Sequence, residues 1–382
     1  MTLTAQHTDY VGKKENKAFM ILSALGIVFV VDVHISKCLS PLVQIFPYDS
    51  FFMPMFAFIS GYFFTEKHCR SWNHVFQFSW RKFKKLMLPY LGWILFYGVL
   101  ISLLRWLGIL DIRPITLIDL IHNILTSGTS FAFNSPAWFV PTLFCVSVCY
   151  CFIRKIVSKH WNDSVAMILF ALAGAAAVWA SRTSFNTNNH YMLMKVPFFL
   201  QFYHLGIFFR NKLEHWFDRT SCVALCVGAM IINIFLVAIY GNNIAFPICS
   251  SMSGFYTNNP FLPLITSITG IAFWLKISKA LVPILGQNKL VNFISDNTFF
   301  IMTHHIGAKH LFLGILICCY RCGMEIFSGI DIQQFRTDGL YVYGQYAWCN
   351  AACFLFSMAF LLISCKAFHA AKARLKQAIR GV

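Results

Sequence analysis

Charge is scarce in this chain. Of 382 residues, 14 are Asp or Glu and 31 are Lys or Arg, so charged side chains make up 12%. An average soluble domain carries roughly 25%. With hydrophobic residues at 58%, the shortage excludes a water-soluble globule and points to an integral membrane protein. Other absences narrow the reading. No small-residue cleavage site follows the first apolar run, where Lys37 and Cys38 stand instead, which excludes a cleavable signal. No CxxC pair recurs at zinc spacing. Cysteines such as Cys145, Cys149, Cys349 and Cys353 fall inside apolar runs and read as small apolar side chains at helical spacing. There is no GxGxxG-type signature, internal repeat, low-complexity linker or separate soluble domain. Neither a metal nor a bound cofactor is expected. The chain reads as one transmembrane domain over 1–382, with a core of about 15–365 and a basic tail at 366–382.

What is present is a series of apolar runs, each long enough for a helix to cross a hydrocarbon core of about 30 Å. They fall at roughly 18–37, 45–65, 86–107, 136–153, 164–180, 194–209, 221–240, 260–280, 292–317 and 345–365. The expected fold is therefore all-α, a polytopic bundle of about ten transmembrane helices. A short helix is expected near Thr116–Leu125. The formal charge of +17 does not indicate nucleic acid, because the basic residues come in bursts between spans and form no continuous groove. Most Lys and Arg fall on one side of the ten-span layout. Only Lys37, Arg105, Arg113, Arg182, Lys195, Lys309, Arg321 and Arg336 fall on the other. The positive-inside rule then places both termini in the cytoplasm. Trp72, Trp80, Trp138, Trp161 and Tyr240 lie near span ends, where aromatic belts form.

The first run, Phe19–Ser36, carries Asp32 and His34. Ionisable groups inside a membrane are costly and mark functional sites. His34 is the candidate general base, since an imidazole exchanges its proton near neutral pH. Asp32, two residues away, points about 200° from it on a helix and is expected to give charge or hydrogen-bond support from elsewhere. His304 and His305 are adjacent in the run 292–317, so they face about 100° apart, and Lys309 follows one turn after His305. Asp296 or Asn297 is expected to cap a helix there. Arg81, Lys82, Lys84 and Lys85 precede the third run, suited either to anionic lipid or to the phosphates of a cytosolic donor.

In order along the chain, these motifs resemble the acyltransferase 3 family of integral-membrane acyltransferases, within it the fucose 4-O-acetylase-like group. Val31-Asp32-Val33-His34 closes the first span, and FFMPMFAFISGYFF follows in the second. WRKFKKLMLPYL leads into the third. Pro136-Ala137-Trp138-Phe139-Val140 opens the fourth, and NTFFIMTHH places His305 eight residues after Asn297. The likeness covers roughly residues 15–310. One position departs from it: the basic residue expected eleven positions before His34 is Ser23.

The resemblance implies transfer of an acyl group, usually acetyl, from acyl-CoA to a hydroxyl of a cell-surface or lipid-linked glycan, in a bacterial cytoplasmic membrane. It implies His34 as base, with His305 and Asp32 completing the catalytic set. Arg81, Lys82 and Lys85 become candidates for the donor, acetyl-CoA, which is a substrate and not a resident cofactor. Trp138, Asn297 and His304 become candidates for the acceptor. The connection Gly241–Pro260, rich in amides and hydroxyls, suits neutral sugar hydroxyls. The competing class is a proton-coupled transporter or flippase using Asp32, His34 and Lys309.

Overall fold

The computed structural model describes residues 16–35, 45–46, 48–126, 128, 131–181, 191–240, 259–343 and 347–380. The described residues are predominantly helical, with no strand among them. The connection Gly241–Pro260, except its last two residues, lies outside them, as do Lys13, Lys14, Lys37 and Arg182.

The helices fall on the apolar runs. α1 is Lys17–Ile35, α2 Tyr48–Tyr62 and α3 Trp72–Trp106, and α4 is the short Leu117–Thr126. A tight turn of helix, Ala132–Trp138, leads into α5, Phe139–Ile156. α6 is Asp163–Ala180, α7 Tyr191–Phe208, α8 the short Glu214–Arg219, α9 Cys222–Tyr240 and α10 Leu262–Ala280. α11 is Lys289–Asp296, α12 Thr298–Arg321, α13 Ile332–Thr337 and α14 Ala347–Arg380. Seven of these are long and apolar enough to cross a membrane: α1, α3, α5 with its leading turn, α6, α9, α12 and α14. The chain is a multi-pass membrane protein.

Three boundaries differ from the sequence expectation. First, α3 starts at Trp72 and runs unbroken through the basic stretch, by way of a π-helical turn at Phe83–Met87. Lys82 lays its ammonium over the Phe78 ring and Lys84 over Trp80, at 5.5 and 5.6 Å. Long basic side chains can thus follow a helix into the interface without ending it. Second, the run 292–317 is two helices, broken at Asn297, whose backbone leaves the helical region at φ −116°, ψ 22°. Asn297 does not cap α12 through its side chain; its Nδ2 donates instead to the Phe293 carbonyl at 2.8 Å. Third, α14 continues through the basic tail to Arg380.

α1 is apolar on every side and correspondingly buried, as a central helix must be. It packs against α2, α10, α11, α12 and α14. Phe19 stacks on Tyr62 at 3.9 Å, and Phe29 meets Trp274 of α10 at 4.7 Å. α9 lies outermost, with only Ala229 and Asn233 buried. α2 and α7 touch backbone to backbone. A Cβ on Gly61 would collide with the Tyr203 carbonyl, and one on Gly206 with the Phe58 carbonyl. Below that contact a polar knot closes the end of the bundle that holds Lys17. The Tyr62 hydroxyl donates to Glu214, Lys279 pairs with Glu214 and Asp218, and Arg210 donates to the Tyr62 and Phe64 carbonyls.

Candidate active site

α1 ends at Ile35 with His34 in its last turn, and α12 packs beside it. This brings the His34 and His305 rings to 5.1 Å between centroids, inclined at 61°. The residues are far apart in sequence, and the meeting depends on two helices packed side by side. Each imidazole is fixed by its own helix. His34 Nδ1 donates to the Val30 carbonyl at 2.7 Å, and His305 Nδ1 to the Ile301 carbonyl at 3.2 Å. With the proton on Nδ1, the lone pair of each ring is on Nε2. His305 Nε2 is buried and has no hydrogen-bond partner among the described residues. His34 is half-buried. A fixed ring presenting an unengaged, basic nitrogen is what general base chemistry needs.

Lys309 completes the local geometry. It follows His305 by one turn, so both lie on one face of α12. It is 1% exposed, and its ammonium donates to the Leu340 carbonyl at 2.9 Å. Together with Ile35, the residue after His34, it lines a small cavity of about 10 Å³, room for about one water. The sequence puts Lys309 one turn after His305 and on the alternative transport path. Its spacing from His305 was the signal that could have placed it at the site.

The other candidates are dispersed. Asp32 is fully buried on α1, turned about 200° from His34 and so outside the imidazole pair. His304 faces α3: its Nδ1 bonds the Tyr97 hydroxyl at 2.8 Å, and its ring meets Trp93 at 4.2 Å and Phe300 at 4.4 Å. Asn297 sits at the break before α12, eight residues and about 12 Å short of His305. Trp138 is not part of an interfacial belt. It is 3% exposed, with the Lys195 ammonium 4.0 Å from its ring. Ser23 is fully buried on α1, with its hydroxyl unpaired among the described residues.

Arg81, Lys84 and Lys85 are exposed and Lys82 is half-buried. Lys84 and Lys85 ride on the π-helical turn. The wider turn shifts the helical phase where such turns often serve function. Arg81 Nη2 approaches His68 Nδ1 at 3.4 Å. Burial, with the Arg81 and Lys82 charges beside it, pushes the His68 imidazole down to about 4. His68 is therefore neutral at physiological pH and accepts from the guanidinium. Lys85 and Tyr97 lie on the same helix, about 18 Å apart along its axis. Since Tyr97 bonds His304, the basic rim lies about that far from the level of the imidazoles. Among the described residues no three His, Cys, Asp or Glu side chains gather as metal ligands.

A family model described as an acyltransferase domain, that of the acyltransferase 3 family, matches residues 19–316. The matched stretch runs from α1 through most of α12 and contains His34, His305 and Lys309. No curated protein and no solved structure matches the chain.

Proposed function

The chain belongs to the acyltransferase 3 family, and on that premise we propose that it moves an acyl group, acetyl by the family's habit, from acyl-CoA to a hydroxyl of a cell-surface or lipid-linked glycan. The observation that carries this reading is the His34–His305 pair, with both rings tied through Nδ1 and both Nε2 atoms left for chemistry. A thioester is already activated, so the main demands are a base for the acceptor hydroxyl and positive charge near the developing oxyanion.

In this mechanism the acceptor O–H gives its proton to His34 Nε2 as the oxygen attacks the thioester carbonyl. The tetrahedral oxyanion forms near the Lys309 ammonium, while His305 Nε2 accepts a hydrogen bond from the acceptor and orients it. Its collapse breaks the C–S bond, and the CoA thiolate takes the proton from His34. Ester and free thiol are the products, and the imidazole returns to its starting state. Arg81, Lys82 and Lys85 hold the donor's phosphates at the rim. A long, flexible arm must then bridge the roughly 18 Å from Lys85 to the level of the imidazoles, as the pantetheine arm of CoA does. Cations at the rim also serve the donor in place of the one that Ser23 lacks.

The test is mass spectrometry of surface glycans from cells with and without the gene, alongside acyl-CoA consumption by membranes carrying the chain. Alkali-labile acetyl esters that appear with the gene support the reading. Membranes that consume no acyl-CoA in the presence of glycan acceptor overturn it and favour transport through Asp32, His34 and Lys309.

A further inference from the structure

Two cysteines from separate parts of the chain touch where α2 hands over to α3. Cys69 ends the tight turn Glu66–Cys69 between those helices, and Cys151 lies near the end of α5. Their sulfurs are 3.6 Å apart, although 82 positions separate them in the sequence. The turn is also tied to α5 at three neighbouring points. Arg154 pairs with Glu66 at 2.6 Å, the Cys151 thiol donates to the His68 carbonyl at 3.5 Å, and Lys155 donates to the Arg70 carbonyl at 2.9 Å. These contacts fix the two sulfurs side by side.

The two thiols differ in access and in acidity. Cys151 is fully buried, whereas Cys69 keeps 7% exposure. The hydrogen bond with Cys151 holds the Cys69 thiol below the usual thiol range, against the opposing effect of burial and with help from the Arg154 charge. The thiolate is the reactive form of cysteine. Access and acidity thus both name Cys69 as the nucleophile, with Cys151 poised as its resolving partner. Pairs such as Cys145 and Cys149, or Cys222 and Cys226, do not share this geometry. Each sits at i and i+4 on one helix, with Cβ atoms about 5–6 Å apart. A disulfide spans only about 3.5–4.5 Å between Cβ atoms.

By the positive-inside rule, Arg154 and Lys155 put this contact on the cytoplasmic side. Structural disulfides are rare there, and those that form are mostly transient and redox-sensing. We propose that Cys69 and Cys151 are a redox modification site, a dithiol that a small peroxide converts to a disulfide and that low-molecular-weight thiols restore. The Cys69 thiolate attacks one peroxide oxygen, the O–O bond breaks, and hydroxide leaves to take up a proton as water. The Cys151 thiol then attacks the sulfur of the Cys69 sulfenic acid. The S–S bond forms, the S–O bond breaks, and the hydroxide leaves with the Cys151 proton as a second water. The two thiols together lose two electrons, and the peroxide that gains them ends as water. The new bond lies one residue from His68, whose ring meets Arg81 at the basic rim. This site is separate from the proposed transfer chemistry and stands whether or not that reading holds.

The test exposes the folded full chain, in detergent micelles, to hydrogen peroxide. The protein is then quenched, alkylated under denaturing conditions and mapped by mass spectrometry without reductant. The expected result is a peptide linking Cys69 to Cys151, two hydrogens lighter than the sum of its parts. Thiol labelling should be lost at both positions together, and dithiothreitol should restore it. Cys151→Ser should stop the reaction at a Cys69 sulfenic acid that dimedone traps, and Cys69→Ser should leave Cys151 reduced. The wild-type map needs no variant and decides the matter if either one folds poorly. A linked peptide that forms only after unfolding would overturn the proposal. So would a Cys69 that passes to sulfinic acid while Cys151 keeps its thiol, or two thiols that peroxide leaves unchanged.

Discussion

His34 and His305 come from opposite ends of the matched family region, and their rings stand 5.1 Å apart. Neither donates to the other through Nδ1, because each Nδ1 is engaged by a carbonyl one turn back on its own helix. The pair is thus two independently oriented imidazoles side by side, and not a charge-relay dyad.

This arrangement makes the roles separable. His34→Ala should lower acyl transfer about 10²–10⁴-fold, the contribution of a positioned general base, while membrane insertion and abundance stay unchanged. His305→Ala should lower it as well, and the double variant should lose far less than the product of the two single losses, since both act on one step. The measurement is single-turnover transfer on purified protein. More than about a tenth of the wild-type rate in His34→Ala would exclude this residue as the base.

Lys309 is expected to act on the transition state. Lys309→Met should lower kcat about 10²–10³-fold, as loss of an oxyanion donor does, with the donor KM little changed. Lys309→Arg should recover part of the loss. Equal losses in both variants, with unfolding at lower temperature, would assign the ammonium to holding the Leu340 segment instead.

Reversing charge at Arg81 together with Lys85 should raise the acyl-CoA KM and weaken its dependence on salt, because exposed cations act through screened charge. If these residues only anchor the helix, abundance falls and the KM of the remaining protein does not move.

His68 supplies a pH test at the same rim. Its folded value, about 4, lies below the roughly 6.5 of a free imidazole, so the unfolded chain binds the extra proton first. The stabilising contribution is present above about 6.5 and is lost as pH falls towards 4. Thermal unfolding should show this slope in the wild type and a flatter one in His68→Gln. Parallel slopes would refute the assignment.

Sidedness is tested by reporter fusions. Fusions after His160, Phe217 and Asn288 should report cytoplasm, and those after Asp111 and Thr257 the outside. Agreement at fewer than four of the five would break the ten-span layout.

Much of the architecture was legible because apolar runs of span length leave little choice of secondary structure. Helices stand on all ten expected segments, and among the described residues seven helices are long and apolar enough to cross a membrane. What was not legible depended on single residues. Lys84 and Lys85 looked like a loop between spans, yet aromatic partners and a π-helical turn keep α3 continuous through them. Asn297 sits inside an apolar run, and averaging over that run hid the break. At the site, the 100° offset of His304 and His305 said that only one of them faces a given partner. Packing against α1 decided that it is His305, and Tyr97 took the other. The Leu340 carbonyl that receives Lys309 leaves no trace in side-chain chemistry, since any residue offers one.

The backbone contact at Gly61 and Gly206 bears on how the bundle admits anything. Two helices that interlock through carbonyls and bare α-carbons have no side chains to rearrange, so α2 and α7 cannot slide past each other or twist without separating. They form a keel. Any rearrangement is left to other packing faces, such as the one where α3 and α14 meet α12 through the rings of Trp93, Phe300 and Phe368. A side chain placed at either glycine should therefore push the two helices apart and weaken the whole bundle.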